Sequence, residues 1–157
     1  MTRLAVGANL AAFLDMIAFS EGTATCKATK DEGYDILVGG TRFASYDDHP
    51  RNLVDLPKLG IKSTAAGRYQ LLARYWDAYR KSLDLEGGFT PENQDRVAIQ
   101  QIRERGALDL IKQGRFDEAV SRVRNIWASL PGAGHGQHEH AIEPLRTAYR
   151  EAGGSVA

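Results

Sequence analysis

An amphipathic segment near the N-terminus ends on an acid and a glycine. In the stretch AFLDMIAFSEGT, residues 12–23, apolar residues such as Leu14 and Ile17 recur at the three- and four-residue spacing of one helix face. Glu21 follows Ile17 by four positions and so lies on the same face, and Gly22 is typical of a helix end. The chain is therefore predicted to contain a core-facing helix that carries a carboxylate at its C-terminal end.

Two physical effects are expected to act on Glu21 in the same direction. Burial beside apolar groups disfavours the charged form, and the negative end of the helix dipole disfavours an anion. Both effects raise the pKa of the carboxyl and leave an acid that can donate a proton near neutral pH, as glycosidic bond cleavage requires at the leaving oxygen. The alternative is a structural glutamate whose side chain bends into solvent.

Composition narrows the class of protein. The 157 residues suit one domain, and the equal numbers of basic and acidic residues, 20 of each, give no indication of a nucleic-acid partner. A single cysteine, Cys26, excludes an internal disulfide. Asn9 and Asp15 interrupt the apolar N-terminal run, so we expect neither an export signal nor a membrane-spanning helix.

The rest of the chain reads as mostly helical. Alternating apolar residues that lead up to a Gly-Gly pair predict a β-hairpin over 34–46, and the proline-containing stretch 47–63 is predicted to be irregular. The predicted fold class is α+β, mainly α-helical, with one small β-hairpin beside the N-terminal acid. Helical patterns are found at 68–83, from the N-cap Thr90 to about 105, and at 107–113, 116–130 and 144–152.

Seven blocks are spread in order over most of the chain: AFLDMIAFSEGT, GYDILVGG, DHPRNLV, KSTAAGRYQLL, WDAYRK, AIQQIRERGAL and NIWASLPGAG. Together they resemble the bacteriophage lambda endolysin family. The resemblance implies a single lysozyme-like catalytic domain over residues 1–157, with the β-hairpin beside the active-site cleft. It also implies a lytic transglycosylase, which cleaves the β-1,4 bond between N-acetylmuramic acid and N-acetylglucosamine in peptidoglycan. In that reaction the muramic acid 6-hydroxyl closes on its own C1 and leaves a 1,6-anhydro end.

The resemblance assigns the catalytic role to Glu21, which lies in the family's SEG motif. One side chain can protonate the leaving oxygen and then, as a carboxylate, take the proton from the 6-hydroxyl. Two alternatives stay open. A true muramidase would hydrolyse the same bond with Glu21 and Asp35 placed roughly 5 to 10 Å apart across it. A non-catalytic peptidoglycan-binding domain would keep the fold and lack the reaction.

Seven residues are predicted to contact the glycan. The segment STAAGRYQ resembles the Gly-x-x-Gln stretches of transglycosylase clefts, where an amide can hold an acetamido group and an aromatic ring can stack on a sugar. The histidines of HGQHEH could bind zinc, but their spacing fits no established zinc pattern. We therefore expect a glycine-hinged lip over the cleft, with no metal and no cofactor. The predicted substrate contacts are Tyr34, Asp35, Ser63, Tyr69, Gln70, His135 and His138.

The resemblance also implies a biological setting. The enzyme would accumulate in the host cytoplasm and act on the cell wall in the periplasm after a separate holin permeabilises the membrane. Its partner would be the glycan strands of peptidoglycan, and its effect would be host cell lysis. We expect a monomer that binds no nucleic acid and does not insert stably into a membrane.

Overall fold

The computed structural model describes residues 1–134 and 139–157. Over these residues the chain is mainly helical with one small antiparallel sheet, which confirms the predicted α+β class. No helix in the described part of the chain is long and apolar enough to cross a membrane. The elements are α1 (Ala8–Glu21), β1 (Val54–Leu56), β2 (Ile61–Ser63), α2 (Ala73–Ser82), α3 (Pro91–Glu104), α4 (Leu108–Lys112), α5 (Phe116–Val123) and α6 (Ile142–Glu151).

The first helix, α1, lies at the centre of the larger hydrophobic core. Phe13, Leu14 and Ile17 have no exposed surface, and the ring of Phe13 meets those of Phe116 and Tyr149 edge-on. Aromatic rings in this arrangement add a specific attraction to the area that they bury. The core therefore fixes α1 along its whole length and with it the position of the acid at its end.

The end of α1 is formed as the sequence predicts. Gly22 adopts a left-handed conformation with φ 75°, which a residue without Cβ reaches at no steric cost. Its backbone N–H donates to the Phe19 carbonyl, and the N–H of Thr23 donates to the Ala18 carbonyl, at 3.0 and 3.1 Å. The last carbonyls of the helix are thereby satisfied, and the chain leaves the helix immediately after Glu21.

The β-hairpin lies elsewhere than predicted. The paired strands are β1 and β2, in the register Val54↔Ser63, within the stretch that the sequence indicated to be irregular. Gly39 and Gly40 do form a turn with positive φ, but in 34–46 only a single bridge, Ile36↔Arg42, forms beside it. The segment does not extend into a longer ladder because its backbone groups bond to another part of the chain. The N–H of Val38 donates to the Ala65 carbonyl at 2.9 Å.

Two predicted helices are shorter in the structure. The helix expected from Arg68 begins at Ala73, because Ala66 and Leu71 exchange backbone hydrogen bonds of 3.1 and 2.9 Å that close a tight turn before it. The helix expected over 116–130 ends at Val123 and continues as turns. By contrast, α3 begins as predicted, with the Thr90 hydroxyl accepting the N–H of Asn93.

Candidate active site

Glu21 lies in a pocket of about 580 Å³ between the end of α1 and the β1–β2 hairpin. The α1 side contributes Ser20 and Glu21, and Ser129 adds a second hydroxyl to the same wall. The hairpin contributes the opposite wall through its turn. Its lining residues are Leu56, Pro57, Lys58 and Leu59. The arrangement places one carboxyl against a largely apolar wall, as a proton donor to a sugar oxygen requires.

Hydroxyl groups surround the carboxyl on its protein side. The Ser129 hydroxyl donates to Oε2 of Glu21 at 2.8 Å, and the Ser20 hydroxyl lies 2.7 Å from that of Ser129. His140 binds both serines, since its backbone N–H donates to the Ser129 carbonyl and its Nε2 lies 3.0 Å from the Ser20 carbonyl. Both serines and His140 escape prediction from the sequence, because nothing in the local pattern connects them to the function of Glu21.

The environment raises the pKa of Glu21 to about 7. Burial is the main cause, because it disfavours the charged carboxylate, and the hydrogen bond from Ser129 acts in the opposite direction. The upward shift expected from the sequence is thereby confirmed. A group with this pKa is populated in both protonation states near neutrality, so it can serve first as an acid and then as a base.

The raised pKa has a consequence for stability. The folded protein binds the Glu21 proton more tightly than the unfolded chain, whose ordinary pKa is 4.5, so the folded state loses stability as the pH rises from about 4.5 to about 7. Glu21→Gln removes this loss. We expect the variant to gain up to about 3 kcal/mol over wild type at about pH 8, compared with the difference at about pH 4.

Denaturant unfolding of both proteins at the two pH values measures this gain. The measurement at the lower pH serves as the internal reference, because both side chains are neutral there and the remaining difference reflects only the change of acid to amide. If the difference in free energy of unfolding between Glu21→Gln and wild type is no larger at high pH than at low pH, the raised pKa of Glu21 is contradicted.

Three of the predicted substrate contacts are buried in the structure. Tyr34 and Tyr69 are 0% and 5% exposed, and their hydroxyls donate to Oδ1 of the buried Asp95 at 2.8 and 2.7 Å. Asp35 is 5% exposed, and its carboxylate accepts from the Thr29 hydroxyl and from a backbone N–H. Each of the three side chains is engaged in the polar interior, and Tyr69 also lines the depression beside Gln70, so the three predicted contacts with glycan stay predictions.

Two further predicted contacts lie at the surface and stay predictions. Ser63 ends β2, and its hydroxyl accepts the backbone N–H of Ala65. Gln70, at φ 54°, donates through Nε2 to the Gly67 carbonyl at 2.9 Å and borders a second depression of about 210 Å³. His135 and His138 lie outside the described residues, so their predicted contact with sugar stays a prediction.

The second depression runs beside α2. Its aromatic lining includes Tyr75, which is 45% exposed, together with Tyr79 and Trp127. The indole Nε1 of Trp127 donates to the backbone carbonyl of Tyr69 at 2.9 Å, which joins this wall to the segment that carries Gln70. An exposed aromatic ring beside polar side chains offers the surface on which a sugar ring can stack.

Metal ligation has no support in the described part of the chain. Over residues 1–134 and 139–157 no group of three His, Cys, Asp or Glu side chains could hold an ion. Glu139 instead accepts the backbone N–H groups of Gly132 and Gly134, both at 2.9 Å. This carboxylate therefore closes the base of the loop that the sequence analysis predicted to be a lip.

Comparisons with known proteins agree with this architecture. The family model described as Endolysin matches residues 11–156. The endolysin of Escherichia phage lambda is 58% identical over 147 residues, covering 92% of this chain and 91% of its own length. The endolysin of Escherichia phage P2 is 56% identical over 158 residues, with 95% of each chain covered.

The solved structures give the same result for the fold. Bacteriophage lambda lysozyme complexed with a chitohexasaccharide superposes with a TM-score of 0.93 at 53% identity, over 98% of this chain and 99% of that one. A second structure of the lambda lysozyme gives a TM-score of 0.88 over the same shares. The fold is thus lysozyme-like, and the chain belongs to the endolysin family of phage enzymes that degrade the bacterial cell wall.

Proposed function

We propose that this endolysin is a lytic transglycosylase that cleaves the β-1,4 bond between N-acetylmuramic acid and N-acetylglucosamine. The observation that carries the proposal is the number of carboxyl groups that line the pocket. Among its described lining residues Glu21 supplies the one carboxyl group, and it faces two serines and an apolar hairpin wall. A single carboxyl group is sufficient for a reaction in which the substrate supplies its own nucleophile.

The proposed reaction uses Glu21 twice. The neutral acid donates its proton to the glycosidic oxygen as the bond from C1 to that oxygen breaks, and N-acetylglucosamine leaves with a hydroxyl. The carboxylate then takes the proton from the 6-hydroxyl of muramic acid as O6 bonds to C1. Glu21 is protonated again at the end of the reaction, and no water enters the product.

The muramidase alternative needs a second carboxylate. In that reaction a partner acid would lie across the bond from Glu21, at roughly 5 to 10 Å, to act on the anomeric carbon or on water. Asp35 was the candidate, but its carboxylate is buried and satisfied by Thr29 and by the N–H of Lys30 at 3.0 Å. The burial of Asp35 therefore favours the transglycosylase.

A glycan strand is the substrate that the surface fits best. The pocket at Glu21 and the aromatic depression at Tyr75 both receive residues from the segment 125–129. The lambda lysozyme, similar in fold and 53% identical, is described as complexed with a chitohexasaccharide. These observations support binding of an extended oligosaccharide across the face that carries Glu21.

The products of peptidoglycan digestion test the reaction type. We expect muramic acid ends in the 1,6-anhydro form, because the substrate's own 6-hydroxyl is the nucleophile. Mass spectrometry distinguishes them from reducing ends, which are heavier by one water. Digestion in ¹⁸O-labelled water sharpens the test, since hydrolysis would place the label at C1 and transglycosylation would not.

Peptidoglycan digested in parallel with a hydrolytic muramidase of known product type gives the reference for reducing ends. Anhydro standards kept under the same conditions control for spontaneous ring opening. Predominantly labelled reducing ends from this chain, with anhydro standards surviving the same conditions, would establish the hydrolase instead.

We further propose the biological setting that the family membership supports. The protein would accumulate in the host cytoplasm as a monomer and would depend on a holin for access to the wall in the periplasm. Lysis would follow from cleavage of the glycan strands. Expression in host cells with and without a co-expressed holin tests the dependence, because lysis should begin only when the membrane is permeabilised.

A further inference from the structure

The hydrogen bonds around Glu21 have a defined direction. When Glu21 is ionised its carboxylate can only accept, so the single hydroxyl proton of Ser129 is donated to Oε2 at 2.8 Å. In the 2.7 Å contact between the two serines, Ser20 must therefore be the donor and Ser129 the acceptor. The result is a chain in which both hydroxyls donate toward the carboxyl group.

The same direction in the neutral acid would set which carboxyl oxygen holds the acidic proton. When the neutral acid keeps this direction, Oε2 serves as its carbonyl oxygen and the proton lies on Oε1. Oε1 has no hydrogen bond from the described residues. The oxygen that carries the transferable proton is thus the one left for the substrate.

The hydrogen-bond chain from Ser20 through Ser129 to Glu21 is held in place by buried packing and by His140. Ser20 and Ser129 are 4% and 9% exposed, so neither hydroxyl can exchange its partner freely for water. The His140 N–H donates to the Ser129 carbonyl at 2.8 Å, and its Nε2 must donate to the Ser20 carbonyl, which can only accept. The imidazole also packs against Phe19, with ring centroids 5.8 Å apart. One residue therefore fixes the spacing between the two serines.

We propose that Ser129, oriented by Ser20, is the positioning residue of the catalytic acid, fixing the transferable proton on Oε1 and stabilising the carboxylate left after transfer. Ser129 does not touch the reacting atoms. It acts through Glu21, because a donor to Oε2 gains strength as negative charge develops on that oxygen. The inference rests on the proposed role of Glu21 as the acid but is independent of whether water or the 6-hydroxyl attacks C1.

Ser129→Ala tests the proposal through both rate and pH dependence. We expect kcat on peptidoglycan to fall on the order of tenfold to a hundredfold, because a hydrogen bond to a developing charge is lost. KM should stay unchanged. Without the donor, burial is unopposed and the pKa of Glu21 rises, so the alkaline limb of the kcat profile should move to higher pH. Ser129→Thr keeps a hydroxyl and should keep the limb near its wild-type position.

Two matched variants complete the design. Ser20→Ala removes only the outer hydroxyl, so we expect a smaller shift of the limb in the same direction, and it tests the chain even if Ser129→Ala folds poorly. Ser121→Ala removes an exposed serine hydroxyl of α5 and should leave rate and profile unchanged. NMR titration of ¹³C-labelled Glu21 reports the same pKa change without substrate.

The proposal is overturned if folded Ser129→Ala has a wild-type rate, or loses rate while its alkaline limb stays in place, or if Ser129→Thr loses as much as Ser129→Ala. Failure of the proposed transglycosylase reaction would look different. Reducing ends together with a shifted alkaline limb would reject the transglycosylase and keep the positioning role of Ser129. Anhydro ends together with an unmoved alkaline limb would keep the transglycosylase and reject the positioning role.

Discussion

Glu21→Gln is expected to abolish wall lysis while leaving the protein folded. The amide has nearly the shape of the carboxyl group and its oxygen can still accept the hydrogen bond that Ser129 donates at 2.8 Å, but it cannot supply a proton to the glycosidic oxygen. With one group acting as both acid and base, we expect a loss of activity on the order of a thousandfold or more. Turbidity loss of purified cell walls, with circular dichroism to verify the fold, measures the effect.

Glu151→Gln is the matched control for this experiment. Glu151 is also the last residue of a helix, α6, but it is exposed, so its replacement should leave lysis at the wild-type rate. Persistent lysis by folded Glu21→Gln would remove Glu21 from the mechanism. Binding of cell walls by the inactive variant would show that the loss lies in the reaction and not in recognition.

Asp95→Ala is expected to destabilise the fold more than any replacement at the pocket. The Asp95 carboxylate is 0% exposed, and its Oδ2 accepts the backbone N–H groups of Arg3 and Leu4 at 2.7 and 3.1 Å. Its Oδ1 accepts the hydroxyls of Tyr34 and Tyr69. Removing the acceptor leaves buried donors without a partner, and we expect a loss of about 3 to 5 kcal/mol.

Asp95→Asn separates the two oxygens. The amide oxygen can still accept from the tyrosines, whereas the amide nitrogen would face the N–H groups that Oδ2 now accepts, so the loss should be intermediate. Asp47→Asn, in an exposed loop, should change the free energy of unfolding by no more than about 0.5 kcal/mol. Denaturant unfolding compares the variants, and near wild-type stability of Asp95→Ala would contradict the interpretation of the network.

Local chemistry explains which elements the sequence could predict. The C-terminal end of α1 and the start of α3 depend on residues next to them, namely Gly22 in its left-handed conformation and Thr90 as an N-cap. Such signals act over a few residues and need no knowledge of the rest of the chain. The raised pKa of Glu21 was predictable for the same reason, because the apolar stripe of α1 already places the acid beside the core.

The hairpin could not be located in this way. A Gly-Gly pair marks a turn, but whether strands extend from it depends on what else competes for their edges. Here Val38 bonds to Ala65 and Gly67 bonds to Ile36 across the fold, while the turn between Leu56 and Ile61 closes the actual hairpin. Sequence alternation cannot decide between such long-range partners.

Three of the predicted site residues belong to a buried polar network in the structure. Tyr34, Asp35 and Tyr69 resemble substrate contacts because polar and aromatic side chains are typical of sugar-binding clefts. The structure instead uses the two tyrosines as partners of Asp95, and Arg68, 2% exposed on its side chain, adds an ion pair with Asp15 at 2.9 Å. Nothing in single-sequence spacing distinguishes a satisfied interior hydroxyl from one that faces a ligand.

The hydrogen bond that completes the catalytic acid joins residues 108 positions apart, and the Ser20–Ser129 contact spans 109. During translation α1 is synthesised long before Ser129 is added, so the acid lacks this hydrogen-bond partner until synthesis has passed residue 129. Closing so long a loop also costs entropy before the contact can repay it, which delays the contact further. A nascent or interrupted chain that stops short of Ser129 therefore carries the acid without the hydroxyl that holds it.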